Sequence, residues 1–133
     1  MDAVVVDTHV VLWYLTQDPK LSQKAMEALD SATQAGEPIY VPAICLVELT
    51  YLVEKNRLPI TARERLIAAL DDPEKPTHLV PMDRAIVDAV EFVSRTEVPD
   101  MPDRIIAATA LALQLPLISR DSRIRASQVH TIW

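Results

Sequence analysis

Short apolar runs alternate along the chain with longer stretches in which apolar residues recur at the spacing of a helix face. The runs are typical of buried strands, and the longer stretches are typical of amphipathic helices. Five runs predict strands: Ala3–Val6, Ile39–Val41, His78–Met82, Leu117–Ser119 and Val129–Ile132. Their order with the helices, β-α-α-β-α-α-β-α-α-β-α-β, predicts a three-layer α/β/α sandwich with a mostly parallel five-stranded sheet. No linker or repeat divides residues 1–133, so we expect one domain, and Pro81 restricts the third strand to an edge of the sheet.

Several residues have the chemistry of helix ends. Ser22 and Asp83 are predicted N-caps, because their side-chain oxygens accept hydrogen bonds from free backbone N–H groups. Pro42 is predicted to open one helix and Gly36 to end another. The segment Thr61–Glu64 has the spacing of a capping box, which predicts a helix that begins after Thr61.

Glu48 is the only charged residue in the apolar stretch Pro42–Val53, which predicts a helix. Its neighbours three and four positions away on that helix are Ile44, Cys45, Tyr51 and Leu52. The carboxylate is therefore predicted to point towards the core, where an unpartnered charge is costly. An ion pair with Arg104 or Arg120 is one solution, and a cation shared with other acids is another.

Three further acids lie at or beside the predicted carboxyl ends of strands. Asp7 ends the first strand, Asp121 follows the fourth by two residues, and Asp103 begins the helix before the fourth. Ligands of open α/β sheets collect at this edge, so the three acids are predicted to converge there with Glu48. Carboxylates brought together repel one another unless a cation lies between them, and oxygen ligands favour Mg²⁺ or Mn²⁺ over zinc. Such a site can activate water for attack on a phosphodiester.

Each of these aspartates, taken alone, also has an ordinary structural explanation. Asp7 and Asp103 suit helix N-termini, and Asp121 suits a turn. The metal-site hypothesis therefore depends on the combination of four acids from four distant segments.

Composition narrows the alternatives. A single glycine, Gly36, excludes a Walker A loop and a dinucleotide fingerprint, both of which need several glycines. A single cysteine, Cys45, excludes an internal disulfide and a zinc site built from cysteines. The N-terminus has no signal-peptide pattern, and no apolar run is long enough to span a membrane, so we expect a soluble cytoplasmic protein without a membrane partner.

The formal net charge of −6 argues against a broad basic surface. A few arginines near the acidic segments remain available to hold phosphates, and we expect this of Arg104, Arg120 and Arg123. The histidines show no metal-ligand spacing with one another and receive no role. Trp13 is predicted to pack in the core.

Four segments together resemble a PIN domain, and among PIN domains the chain looks most like the VapC-type toxins of type II toxin–antitoxin pairs. The segments are Val4–Trp13, the helix that carries Glu48, Asp100–Leu111 and Pro116–Asp121. The resemblance covers nearly the whole chain, and the segments occur in family order. It implies an endoribonuclease that depends on one or two Mg²⁺ or Mn²⁺ ions.

The resemblance also implies roles for individual residues. The catalytic and metal-binding acids would be Asp7, Glu48, Asp103 and Asp121, with Asp100 as a possible further ligand and with Thr8 and Ser119 as supporting hydroxyls. The implied partners are an RNA substrate, a second copy of the chain in a homodimer, and a small cognate antitoxin that often places a basic residue in the acidic groove.

Two other interpretations compete with a nuclease. An aspartyl-phosphate phosphotransferase or phosphatase also has an aspartate after its first strand. The haloacid dehalogenase type, however, needs a second aspartate where this chain has His9, and a response-regulator receiver needs an acidic pair and a late lysine that are missing here. The second alternative is a non-catalytic PIN-like module that only binds protein.

Overall fold

The computed structural model describes residues 2–133 and shows one sheet of five strands with helices between them. The strands are β1 (Val4–Val6), β2 (Ile39–Pro42), β3 (Thr77–Val80), β4 (Leu117–Ile118) and β5 (Thr131–Ile132). The helices are α1 (Thr8–Thr16), α2 (Gln23–Gln34), α3 (Ala43–Glu54), α4 (Ile60–Asp71), α5 (Arg84–Ala89), α6 (Met101–Leu113) and α7 (Ser122–Arg125), with a 3₁₀ turn at Val90–Phe92. The predicted order of strands and helices is confirmed.

The strand order across the sheet is β3-β2-β1-β4-β5, and every pair of neighbours is parallel. The sheet is therefore entirely parallel, and β3 lies at an edge as Pro81 predicts. Helices cover it, so its central strands have no solvated face: Val5, Val6, Ile39 and Leu117 are fully buried. No helix within residues 2–133 is long and apolar enough to cross a membrane.

Most predicted helix ends are confirmed by hydrogen bonds or backbone angles. Ser22 Oγ accepts from the Ala25 N–H at 3.1 Å. Asp83 Oδ1 accepts from the Ile86 N–H at the same distance, 3.1 Å. Gly36 follows α2 with a φ of 72°, a left-handed conformation that glycine adopts without strain.

The predicted capping box at Thr61–Glu64 is wrong. Pro59 holds an extended backbone immediately before Ile60, and α4 begins there with no side-chain cap. Thr61 is consequently already inside the helix, where its hydroxyl has no cap position to occupy. The third and fifth strands are also shorter than predicted; Pro81 has no N–H to continue the ladder of β3.

The carboxyl ends of β1 and β4 lie side by side at the middle of the sheet. Val6 pairs with Ile118, and the Asp7 N–H donates to the Ile118 carbonyl at 3.1 Å. The chain leaves β1 towards β2 on one side, while β4 joins from the other, which makes this the switch point of the topology. The fold therefore brings Asp7 next to the residues that follow β4.

Candidate functional site

An open cavity of about 470 Å³ lies at this switch point. Its lining contains Asp7, Thr8, His9, Val10, Trp13, Glu48, Pro99, Asp100, Asp103, Arg120, Asp121 and Arg123. All four acids singled out from the sequence are in this set, together with Asp100. The structure thus brings together side chains from the starts of α1, α6 and α7 and from the middle of α3.

Asp7 lies at the floor of this acidic cavity and is held by two short hydrogen bonds. Its Oδ1 accepts from the Thr8 N–H at 2.7 Å, which also caps α1. Its Oδ2 accepts from Ser119 Oγ at 2.7 Å. Burial raises the pKa of Asp7 and outweighs the opposing effect of these hydrogen bonds and of nearby His9. The helix-cap explanation for Asp7 is correct but leaves the Ser119 contact unexplained.

Glu48 projects from α3 into the cavity. Thr8 Oγ1 donates to Glu48 Oε1 at 2.7 Å. Burial raises the pKa of Glu48, and the negative charges of Asp7 and Asp100 raise it further. The prediction that Glu48 points into the core is only half right: Cys45 on the same face is fully buried, whereas Glu48 is half-buried at the cavity.

The ion-pair alternative for Glu48 does not hold. Arg104 donates from Nε to the Val93 carbonyl at 3.0 Å and from Nη2 to the Val90 carbonyl at 2.9 Å. Arg120 lies over the ring of Trp13. Within residues 2–133, side-chain ion pairs form at Lys20–Asp18 and Arg84–Asp88, and neither involves a cavity acid.

Glu48, Asp100 and Asp103 form the tightest group of acids. One carboxylate oxygen from each lies within 4.8 Å of the other two. Asp100 caps α6 through Oδ2, which accepts from the Asp103 N–H at 3.2 Å, so both acids stand at the first turn of this helix. Burial and the charges of Asp7, Asp100, Asp121 and Glu48 raise the pKa of Asp103 to about 7. Asp100, a weaker candidate from the sequence, is therefore a full member of the group.

Asp121 completes the acidic lining from the start of α7. Its Oδ1 accepts from the N–H groups of Arg123 and Ile124 at 2.9 and 3.0 Å. The Asp121 N–H donates to Ser119 Oγ at 3.1 Å. Buried Ser119 therefore connects Asp7 with Asp121, as Thr8 connects the Asp7 turn with Glu48.

The chemistry of these donors fits a hard divalent cation. Every donor is a carboxylate oxygen, two of the acids are fixed by neighbouring hydroxyls, and the charges of neighbouring acids help to raise the pKa of Asp103. Mg²⁺ and Mn²⁺ prefer such oxygen ligands. A bound cation would remove the repulsion that, together with burial, raises the pKa of Asp103.

The basic residues divide into two groups. Arg120 and Arg123 line the cavity, whereas Arg104 does not, because its guanidinium joins α6 to the turn before it. We therefore remove Arg104 from the set of phosphate contacts expected from the sequence.

Sequence reasoning missed His9 and Trp13 as parts of this lining. They stand four residues apart in α1, so they share one helix face, and their ring centroids are 5.6 Å apart. The four-residue spacing of His9 and Trp13, directly after Asp7, is the sequence signal that could have placed both side chains beside the acids. Trp13 is also largely buried, as predicted, so it belongs to both the core and the cavity.

Residues 4–128 match the family model of the PIN domain. A relative over the full length of both chains is Ribonuclease VapC22 of Mycobacterium tuberculosis, with 25% identity over 136 residues and 100% of each chain covered.

Two solved structures share the fold. One is VapBC2 from Rickettsia felis bound to a DNA fragment from its promoter, with a TM-score of 0.71, 16% identity, and coverage of 97% of this chain and 96% of that one. The other is a toxin–antitoxin complex from Klebsiella pneumoniae, with a TM-score of 0.65, 21% identity, and coverage of 98% and 96%.

Proposed function

The chain belongs to the PIN domain family, and on this premise we propose that it is a metal-dependent endoribonuclease that acts as the toxin of a toxin–antitoxin pair. The family match, the relative named as a ribonuclease and the toxin–antitoxin complexes of the same fold all support this function. Membership also sets aside the aspartyl-phosphate enzymes as an explanation for Asp7.

One observation carries the proposal: carboxylate oxygens of Glu48, Asp100 and Asp103 within 4.8 Å of one another, in a cavity that Asp7 and Asp121 also line. If the acids bound no ligand, replacing one of them would stabilise the protein, because burial and the charges of neighbouring acids raise the pKa of Asp103 to about 7. A non-catalytic module has no such need for the acids.

We assign the cation to Asp7, Glu48, Asp103 and Asp121, with Asp100 as a further ligand of Mg²⁺ or Mn²⁺. When bound, the ion supplies activation of water and neutralisation of charge at the phosphodiester. The chain's own hydroxyls set the donors in place: Ser119 orients Asp7, and Thr8 orients Glu48. Holding oxygens in position before the substrate arrives avoids reorganisation during the reaction.

The antitoxin is proposed to cover the cavity and an apolar groove next to it. The groove lies on the other side of Glu48 and is lined by Ile44, Val47, Tyr51, Leu52, Lys55, Met101 and Pro102. Tyr51 is 58% exposed and Met101 is 65% exposed, so the groove offers apolar surface to a partner. An antitoxin segment with apolar residues in the groove and one basic residue beside Glu48 would be complementary to both.

We further propose a homodimer that works in the cytoplasm, where its RNA substrate is found. Apolar side chains available for a dimer contact include Val87 on α5 and Phe92 in the 3₁₀ turn, which are 51% and 65% exposed. Light scattering after gel filtration tests this, with twice the chain mass of 14.9 kDa as the expected result.

The nuclease proposal is tested by incubating purified protein with single-stranded RNA and Mg²⁺ or Mn²⁺, with and without a chelator. We expect endonucleolytic cleavage that the chelator abolishes and that Asp7→Asn and Glu48→Gln also abolish. Glu64→Gln, which removes an exposed acid of α4 outside the cavity, is the matched control and is expected to cleave normally. Absence of metal-dependent cleavage, or cleavage that survives Asp7→Asn, would instead favour the protein-binding module.

A further inference from the structure

One feature of the cavity rim is unexplained by the acidic site. The guanidinium carbon of Arg120 lies 4.7 Å from the centroid of the Trp13 ring, in a cation–π contact. Arg120 stands between Ser119 and Asp121, yet it forms no ion pair with any acid among residues 2–133. It is exposed and lines the cavity, so its N–H groups are available to a ligand.

Trp13 itself is held firmly. Its side chain is only 9% exposed, and the rings of His9 and Trp133 lie 5.6 and 6.1 Å from it, centroid to centroid. An exposed arginine ordinarily samples many rotamers, and a ligand must then pay for fixing it. Stacking on a fixed indole removes much of that cost in advance. Because Arg120 covers the accessible ring, Trp13 is not itself a platform for a nucleobase.

We propose that Arg120, stacked on Trp13, is a phosphate-binding residue that seats the RNA next to the acidic cavity, with Arg123 as a second contact. This inference rests on the proposed ribonuclease function. Trp13 is a positioning residue, since it acts through Arg120. The guanidinium fork suits bidentate contact with phosphate, which Lys offers only as a point charge.

The charge of the protein explains why RNA binding needs a local basic contact. The chain has a net charge of −6, and five acids line the cavity, so a polyanion is repelled from most approaches. Among the described lining residues, the arginines are Arg120 and Arg123, and both lie on the side formed by the turn from β4 into α7. RNA is therefore expected to enter along that side, with the phosphate to be cleaved placed towards Glu48, Asp100 and Asp103.

The contact is tested by RNA binding in an Asp7→Asn background, where cleavage does not interfere. The probe is a fluorescein-labelled single-stranded RNA of roughly 12 nucleotides and mixed sequence, measured by anisotropy with Mg²⁺ present. We expect Arg120→Ala to weaken binding about tenfold. The slope of log K against log salt should fall by about 0.7, the value for one phosphate contact on a single strand.

Arg125→Ala is the matched control. Arg125 is an exposed arginine of the same helix, α7, and it does not line the cavity. Its removal changes the net charge by the same amount, so a general charge effect would appear in both variants. Equal effects of Arg120→Ala and Arg125→Ala, or no change in the salt slope, would overturn the inference.

The role of Trp13 is tested with Trp13→Phe and Trp13→Leu. We expect Trp13→Phe to keep most of the affinity, because a ring remains under Arg120, and Trp13→Leu to lose about as much as Arg120→Ala. The double variant Trp13→Leu/Arg120→Ala should bind no worse than Arg120→Ala alone, because both changes remove one contact. Additive losses in the double variant would overturn the positioning role, because they would show that Trp13 contributes independently of Arg120, and thermal melting of each variant checks whether that contribution is to folding.

Steady-state cleavage separates this inference from the proposed function. In a wild-type background, Arg120→Ala is expected to raise KM about tenfold while kcat stays within about twofold, because a contact with a phosphate that does not react binds substrate and transition state alike. If wild type cleaves RNA and Arg120→Ala leaves KM unchanged, the phosphate contact of Arg120 is refuted and the proposed ribonuclease function still holds. Absence of RNA binding and cleavage in wild type would refute both.

Discussion

The two sides of the cavity handle their charges in opposite ways. On one side, carboxylate oxygens of Glu48, Asp100 and Asp103 lie within 4.8 Å of one another, and burial together with neighbouring acids raises the pKa of Glu48 and of Asp103. On the other, Arg120 is stacked on Trp13 and Arg123 extends into solvent, both without an ion pair to the acids of the cavity. Opposite charges thus share a small cavity without neutralising one another.

This separation supports the proposal that the charges bind a metal ion and RNA. Ion pairs across the cavity would have stabilised the metal-free protein, yet the backbone directs the arginines away: the Asp121 side chain caps α7, and the Arg120 guanidinium leaves towards α1. A cation on the acidic side and a phosphate on the basic side would satisfy both sets. A phosphodiester with a bound divalent metal has that distribution of charge.

Removing an acid from the acidic side is expected to have the largest effect on cleavage. Asp103→Asn removes the acid with the most like-charged neighbours, and we expect metal-dependent RNA cleavage to fall by about a thousandfold because the cation loses a charged ligand. The rate of cleavage at saturating Mg²⁺ measures this, with far-ultraviolet circular dichroism as a check on folding. Glu64→Gln is the control, and a fall of less than about tenfold would argue against Asp103 as a ligand.

The acidic side was foreseeable from sequence because each acid follows a strong local signal. Asp7 ends an apolar strand, Glu48 interrupts an apolar helix, and Asp103 stands in a Pro-rich turn that opens a helix. In a parallel sheet these signals converge by topology alone. Asp100 was only a possible further ligand from the sequence, and the structure places it in the tightest group of acids, where it also caps α6, a geometric detail that spacing does not specify.

The basic side was foreseeable only in part. Arg120, Arg123 and Arg104 were all candidates because they lie near the acidic segments, but the fold uses Arg104 to bind the carbonyls of Val90 and Val93. Contacts between residues over a hundred positions apart, such as Arg120 over Trp13, depend on tertiary packing that no periodicity encodes. The failed capping box at Thr61 has a local origin, since the helix begins directly after Pro59, two residues earlier than predicted.

A smaller effect on activity is expected from Ser119→Ala, which tests whether hydroxyl groups position the acids. Ser119→Ala removes the donor to Asp7 Oδ2 and the acceptor for the Asp121 N–H. We expect roughly 10- to 100-fold weaker activation by Mg²⁺, the range for residues that orient metal ligands, with kcat partly recovered at high Mg²⁺. Ser127→Ala, a serine with similar backbone contacts outside the cavity, serves as the control. Equal Mg²⁺ dependence in the two variants would contradict the positioning role.

Replacing an acid of the cavity should raise the stability of the metal-free protein although it lowers activity. Glu48→Gln and Asp103→Asn relieve repulsion among the acids, so in excess chelator each is expected to raise Tm by about 3 °C at neutral pH. Saturating Mg²⁺ should reverse the order, because only wild type has the full ligand set. Differential scanning fluorimetry measures both conditions. A lower Tm for both variants in chelator would show that the acids stabilise the fold directly.

The smallest expected effect is the change with pH in the Tm difference between Asp103→Asn and metal-free wild type. It tests directly whether Asp103 is protonated in the folded protein. Burial and four neighbouring acids raise the pKa of Asp103 from 3.8 to about 7 in the folded protein. The folded state then holds the proton more tightly than the unfolded state. The stabilisation this provides is fully present below the unfolded pKa and is lost as pH rises through about 7. Asp103→Asn has no such proton, so its advantage in Tm over metal-free wild type should grow from about pH 5 to about pH 8. Arg120→Ala removes charge from the basic side and leaves Asp103 in place, so its Tm should track wild type across the same range. An Asp103→Asn advantage that stays constant with pH would mean that Asp103 is ionised throughout, and that the two sides differ less than their geometry indicates.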